Sequence, residues 1–341
     1  MTIRVGINGF GRIGRAFTRL AADREDLEVV AVNDITDAAT CAHLLEFDST
    51  YGPLRRVVEH TADSLTVDGT PIAVLAERDP ALLDWAAFGT DVVVESTGRF
   101  RTREAAAAHL KNGPRKVLIS APGKNADATI VLGVNDGAYD PRLHDVISNA
   151  SCTTNCVAPM AKVLNDAFGV DKGFMTTVHA YTGDQMLLDG PHKDLRRARS
   201  AAASIVPTTT GAARATGEVI GDLKGKLDGV ALRVPVEDGS LTDLAVVVRA
   251  GGVTAEAVNE AFAAAAAGPM AGILRYCDKP IVSRDIIGDP ASCVFDSLLT
   301  QAAPVAGDGG GTLVKAFGWY DNEWGYTARL ADLAVLVGGG L

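Results

Sequence analysis

A run of apolar residues at 3–7 is followed by apolar positions at Ile13, Ala16, Phe17 and Leu20, the i, i+3, i+4, i+7 spacing of one helix face. A second continuous run over 27–32 closes at Asn33-Asp34, so the chain opens as strand, helix, strand. Strands apolar on both faces with a helical crossover belong to a parallel sheet covered on each side. Short runs at 92–94 and 117–119 follow, ending in the small polar segments Glu95-Ser96-Thr97-Gly98 and Ser120-Ala121-Pro122-Gly123. Ligands of such sheets gather at the carboxyl ends of the strands, where these segments fall.

Near residue 150 the pattern changes. Ser148-Asn149-Ala150-Ser151-Cys152-Thr153-Thr154-Asn155-Cys156 is small and polar, and leads into a helical stripe of Val157, Met160, Ala161 and Leu164. A domain boundary is expected there. Residues 170–178, 231–236 and 241–250 read as strands, the last two separated by a Glu-Asp-Gly turn, so the second half is expected to be α+β with antiparallel pairing. The Ala-rich stretch 255–267 reads as a helix and 307–311 as a turn; no internal repeat is found.

With 341 residues, two domains are the default expectation. Hydrophobic residues at 47% against 22% charged exclude a disordered chain. The net charge of −10 argues against nucleic acid or an anionic membrane as the main partner, while leaving room for a small anion held by a few arginines. No secretory leader is read in the first residues, and no apolar run approaches the roughly 20 residues of a membrane helix. Five cysteines, an odd number, fit a reducing compartment, so the expectation is a soluble cytoplasmic protein in which a special cysteine serves chemistry.

Gly9-Phe10-Gly11-Arg12-Ile13-Gly14 matches G-x-G-x-x-G between a strand and a helix, with Asp34 twenty residues beyond Gly14 at the tip of the second strand. Glycines let the backbone approach a pyrophosphate, the helix N-terminus offers amides, and an acidic group accepts from ribose hydroxyls. A 2′-phosphate would meet a like charge at Asp34, which favours NAD over NADP. Cys152 stands at an expected helix start, where dipole and amides lower a thiol's pKa. Packing of Cys152 and Cys156 in the core is the alternative; a metal site lacks the further ligands of a tetrahedron, so none is expected. His179 ends a strand-like run and is either a base or a hydrogen-bonded structural residue. His192-Lys193-Asp194-Leu195-Arg196-Arg197-Ala198-Arg199, the hydroxyl-rich turn Pro207-Thr208-Thr209-Thr210-Gly211 and Arg233 inside an apolar strand are three anion-binding features that point to a phosphorylated substrate. A solvated basic face or RNA binding is the competing reading of the arginine loop.

The sequence resembles phosphorylating glyceraldehyde-3-phosphate dehydrogenases of the bacterial type along essentially its whole length. The likeness rests on G-I-N-G-F-G-R-I-G-R from Gly6, S-N-A-S-C-T-T-N-C from Ser148, H-K-D-L-R-R-A-R from His192, P-T-T-T-G-A-A from Pro207, L-R-V-P from Leu232 and W-Y-D-N-E-W-G-Y from Trp319. It implies an α/β Rossmann domain with a doubly wound parallel sheet at 1–150. An α+β catalytic domain with a mainly antiparallel sheet would follow at 151–318, and a segment at 319–341 would return to the first domain. It implies Cys152 as nucleophile and His179 as base, with glyceraldehyde 3-phosphate oxidised by NAD⁺ through a hemithioacetal and a thioester that inorganic phosphate cleaves. By motif, Ser151, Thr153, Thr182, Arg197, Thr210, Gly211 and Arg233 would share the phosphates. Gly9, Gly11, Arg12, Ile13, Asp34, Arg78, Ser120 and Asn322 would hold the cofactor. Members of the family are homotetramers, with the arginine loop near the subunit core. Erythrose-4-phosphate dehydrogenase, an arsenate-using variant and an RNA-binding or scaffolding protein are the alternatives. Residues 46–54 depart from the family's tyrosine-aspartate-serine-x-histidine-glycine-arginine pattern. Gly190 replaces a bulkier residue, and Val236-Glu237-Asp238-Gly239 is unusually acidic.

Overall fold

The structure, a computed structural model, describes residues 2–306 and 310–340. The chain divides into two compact units: residues up to Ile130, Asp136–Ser151 and everything from Thr327 onward form one, and Val131–Asn135 with Cys152–Tyr326 form the other.

In the first unit, nine strands make one sheet: β1 (Ile3–Asn8), β2 (Leu27–Asn33), β3 (Val58–His60), β4 (Ser64–Val67), β5 (Thr70–Leu75), β6 (Val92–Glu95), β7 (Lys116–Ile119), β8 (Ala128–Thr129) and β9 (Val146–Ser148). Their order is β3-β4-β5-β2-β1-β6-β7-β9-β8. The strands from β5 to β9 run parallel, and β1 lies between β2 and β6, the point where the winding reverses and ligands bind. Val92, Val93 and Val94 are fully buried, as a central parallel strand requires. The helices are α1 (Arg12–Ala21), α2 (Ala38–Glu46) and the short α3 (Arg103–Ala106). Asp37 caps α2 by accepting from Thr40 N at 2.8 Å. Buried Arg19 on α1 donates to the Leu45 and Glu46 carbonyls at the end of α2 and to Gly52 O, so it satisfies a helix C-terminus and fixes the loop that follows.

The second unit contains α4 (Cys152–Phe168), β10 (Val170–Ala180), β11 (Val206–Thr209), α5 (Ala212–Val219), β12 (Leu227–Val234), β13 (Ser240–Val248), α6 (Ala255–Ala267), β14 (Leu274–Cys277), β15 (Cys293–Asp296), β16 (Gln301–Val305), β17 (Gly311–Tyr320) and the start of α7 (Trp324–Gly338). The sheet order is β11-β12-β10-β13-β17-β15-β14, with β16 also on β17. Pairing is mainly antiparallel, but β10 and β12, like β14 and β15, are parallel. Val157, Met160, Ala161 and Leu164 bury the face of α4 as their spacing predicts.

The turn at 236–239 does not close the hairpin that its flanking strands suggest. β10 lies between β12 and β13, because the turn spans the end of a strand instead of joining neighbours. Its Val236 carbonyl accepts from Tyr181 N just past β10, Gly239 takes φ +87°, and buried Asp238 accepts from Gly239 N. Of the expected turn at 307–311, residues 307–309 lie outside the described residues, and Gly311 already begins β17. From Thr327 onward, α7 belongs to the first unit. There Gly338 lies against Ile3 of β1, and Asp332 accepts from Arg24 at 2.6 Å.

Candidate active site

In the first unit the chain leaves β1 at Asn8 and turns through Gly9, whose φ is +95°. A Cβ on Gly9 would lie 2.7 Å from Thr97 N, and one on Gly14 would enter the Gly9 carbonyl oxygen, so these two glycines permit close backbone packing. Gly11 is different: nothing lies within 4 Å of its missing Cβ, and no side chain caps α1 there. The open position is therefore the one with room for a ligand at the helix N-terminus. Asp34 sits just beyond β2, its carboxylate accepting from Phe10 N at 2.7 Å and Thr36 N at 2.9 Å. A cleft of about 370 Å³ is lined by Gly9, Gly11, Asp34, Arg78, Thr97 and Phe100 among others. An open glycine, a fixed carboxylate acceptor and an adjoining cleft fit a dinucleotide. Arg12, Ile13 and Ser120 are not among the residues lining it; Ser120 follows β7, its N–H bonded to Glu95 O. The Arg12 guanidinium is ion-paired with Asp48 and stacked over Tyr51. The loop that departs from the family pattern thus supplies a partner for a residue of the glycine motif.

In the second unit Cys152 opens α4, two residues after Ala150, a buried alanine held at φ +55°. Its Sγ lies 3.4 Å from His179 Nε2. His179 Nδ1–H donates to the Ala180 carbonyl at 2.6 Å, which fixes the tautomer and leaves the Nε2 lone pair toward the sulfur. The parallel register sets His179 beside Arg233, and Arg233 donates to the same Ala180 carbonyl at 3.1 Å and to Thr182 Oγ1 at 3.2 Å. Burial, reinforced by the charge of Arg233, pulls the imidazole down to about 3. The Cys152 thiol, expected from its helix position to be lowered, is instead pushed up by burial, with Arg233 pulling the other way. Both shifts favour a neutral thiol facing an unprotonated imidazole.

The anion-binding candidates have unequal surroundings. Arg233 keeps a buried Nε without a protein partner, beside Thr182. Arg197 donates to Thr208 Oγ1 at 3.0 Å and is ion-paired with Asp184, and Arg199 pairs with Asp189 at 2.7 Å. Acidic neighbours therefore match these two arginines, and the loop is less positive than its sequence suggests. Gly211 is open, and Thr210 Oγ1 accepts from Ala212 N at the start of α5. Ser151 is half-buried next to the cysteine, whereas the Thr153 hydroxyl is bonded to Tyr320 OH at 2.8 Å.

Sequence reasoning missed the residues that hold these groups. Tyr320 OH joins Thr153 to Thr177 inside the core, and its ring meets His179 edge-on. Ser240 Oγ accepts from Ala180 N and donates to Asn322 Oδ1 at 2.6 Å, so the Asn322 amide is oriented with its NH₂ as the group it can offer. The alternation of β13, which makes every second residue from Ser240 buried, was the one available sign. Among the described residues no cluster of metal-binding side chains occurs, and no helix is long and apolar enough to cross a membrane.

A family model described as glyceraldehyde 3-phosphate dehydrogenase, NAD binding domain, matches residues 3–103, and one described as the C-terminal domain of the same enzyme matches 151–322. The chain is 58% identical over 339 residues to glyceraldehyde-3-phosphate dehydrogenase 2 of Streptomyces avermitilis, covering 99% of each. It is 56% identical over 337 residues to the glyceraldehyde-3-phosphate dehydrogenase of Geobacillus stearothermophilus, covering 99% of this chain and 98% of that one.

Proposed function

The chain belongs to the glyceraldehyde-3-phosphate dehydrogenase family, and from that premise we propose how its own residues carry the reaction. It is an NAD-dependent oxidoreductase of glycolysis that converts glyceraldehyde 3-phosphate and inorganic phosphate to 1,3-bisphosphoglycerate. The observation that carries the mechanism is the 3.4 Å approach of Cys152 Sγ to a His179 Nε2 kept unprotonated by its tautomer and its burial.

Cys152 Sγ bonds to the aldehyde carbon as His179 Nε2 takes the thiol proton. The protonated Nε2 then donates to the oxygen of the former carbonyl, now a hemithioacetal. The substrate phosphate is held at Arg233 and Thr182, where its negative charge offsets the guanidinium that opposes an imidazolium. When bound, NAD⁺ supplies the two-electron acceptor for the hydride leaving that carbon. His179 removes the hydroxyl proton during this oxidation, and a thioester remains on Cys152. Attack by inorganic phosphate breaks the S–C bond, releasing the acyl phosphate and returning the sulfur to its histidine. Ser151, the Thr153 backbone, Arg197, Thr210 and Gly211 are proposed for the phosphates. Gly9, Gly11, Arg12, Ile13, Asp34, Arg78, Ser120 and Asn322 are proposed for NAD, with Asp34 disfavouring a 2′-phosphate. The proposed domain limits are 1–150, 151–318 and 319–341, the compartment the cytoplasm and the assembly a homotetramer. Phe174 and Val230, exposed on the paired strands β10 and β12, support an assembly, as does the exposure of Leu187, Leu188 and Leu195.

The test is formation of reduced nicotinamide from glyceraldehyde 3-phosphate with NAD⁺ or NADP⁺, each with and without inorganic phosphate. Sustained turnover that needs phosphate and prefers NAD⁺ is expected. Cys152→Ser is expected to abolish it while NAD⁺ binding persists; turnover by that variant removes the nucleophile assignment.

A further inference from the structure

Beneath the dinucleotide cleft, the first unit holds a buried chain of hydrogen bonds that no step above uses. Trp85 Nε1 donates to His109 Nδ1 at 3.1 Å, which leaves the imidazole proton on Nε2, 3.1 Å from Glu95 Oε2. Asn8 Nδ2 donates to the same oxygen at 2.6 Å, and Asn33 Nδ2 donates to Asn8 Oδ1 at 2.7 Å. Asn33 also grips the peptide of Glu77, donating to its carbonyl and accepting from its N–H, both at 2.8 Å. The other oxygen of Glu95 accepts from Thr97 N at 2.9 Å and from the Thr97 hydroxyl. Trp85 and His109 are fully buried and Glu95 is 2% exposed.

The donors of His109, Asn8 and Thr97 converge on Glu95, which ends β6 as Asn8 ends β1 and Asn33 ends β2. A carboxylate buried this deeply is tolerable only when donors satisfy it, and four do so here. Thr97, Asn8 and Asn33 line the cleft, and the Glu77 peptide leads directly into Arg78. Gly9 backs onto Thr97 N, so movement of Thr97 moves the glycine turn.

We propose that Glu95 is a positioning residue for the adenosine half of the dinucleotide, setting Thr97 directly and the Glu77-Arg78 wall through Asn8 and Asn33. The proposal rests on the reading of this cleft as the NAD site. Both oxygens at position 95 must accept: an amide there turns its NH₂ toward either the Thr97 donors or the Asn8 and His109 donors, so one pair loses its acceptor whichever way it faces.

Glu95→Gln in the full chain is the test. Expected is a rise of about tenfold or more in the NAD⁺ dissociation constant and in KM for NAD⁺, as loss of buried hydrogen bonds implies. ADP-ribose, used as a competing probe, should weaken in parallel because it carries the same adenosine half. The kcat at saturating NAD⁺, KM for glyceraldehyde 3-phosphate and the rate at which iodoacetamide alkylates Cys152 without NAD⁺ should stay within about twofold, a change near the noise of most single-residue effects. Trp85→Phe keeps a ring but deletes the far donor, and a smaller rise of about threefold is expected. A lowered melting temperature with unchanged affinity for NAD⁺ and ADP-ribose overturns the proposal, as does unchanged affinity in folded Trp85→Phe if Glu95→Gln does not fold. If Asp34→Ala also leaves the NAD⁺ dissociation constant unchanged, the cofactor reading itself falls.

Discussion

His179 is described by two hydrogen-bonding directions, Nδ1 to a carbonyl and Nε2 to a thiol, and both can be tested. His179→Asn removes the base, and the chemical step in single turnovers is expected to fall by about 10²- to 10⁴-fold. An unchanged hydride-transfer rate would exclude the role. The same residue makes stability depend on acidity. Its folded value is about 3 against 6.5 for an unperturbed imidazole, so the unfolded chain binds the extra proton between them. Stability conferred by the neutral ring is complete above pH 6.5 and is lost as pH falls toward 3, by up to about 1.4 kcal/mol per pH unit. Urea unfolding between pH 4 and 7 should lose this component in His179→Asn; identical slopes in both proteins would contradict it. Cys152 and His179 were legible in the sequence as a helix-start thiol and a strand-end imidazole. The direction of the thiol shift was not, because the helix N-terminus is a local feature whereas burial beside Arg233 and Tyr320 depends on strands distant in the chain.

At the level of elements, the three motif glycines separate into packing and binding roles. Gly14→Ala drives a methyl into the Gly9 carbonyl and should cost about 1–3 kcal/mol along with NAD⁺ affinity. Gly11→Ala meets open space, so its stability should stay within about 1 kcal/mol while its NAD⁺ affinity drops, because the methyl stands where the ligand would lie. Calorimetric titration beside urea unfolding distinguishes the two; equal stability losses would refute the division. Periodicity revealed β1, α1, β2, α4 and α6 because each has a one-sided or continuous apolar pattern. It misjudged the partner of β12, since a Glu-Asp-Gly turn looks the same whether its strands are neighbours or straddle a third. Residues 46–54 had no interpretable pattern either, since the bond of Asp48 to Arg12 and that of Gly52 O to Arg19 depend on side chains from α1.

Across the whole molecule, the sheet of the second unit buries one face beneath α4, α5 and α6, while Phe174, Val230 and Leu313 are exposed. Sedimentation is expected to give four times the 35.4 kDa of the chain, and Val230→Lys with Phe174→Lys should produce smaller species. A wild-type monomer would rule out the tetramer. The change of texture near residue 150 falls where one compact unit gives way to the other between Ser151 and Cys152, but the return of the chain after Thr327 has no signature in composition or period. That return has a consequence in time. β1 and α1 are made long before their partners: Ile3 waits for Gly338 and Arg24 for Asp332, more than three hundred residues later in synthesis. Domains usually close in the order they emerge. Here the nucleotide-binding half stays unfinished until the residues after Thr327 have been made, and the strand that they cover waits bare while the whole second unit is synthesised.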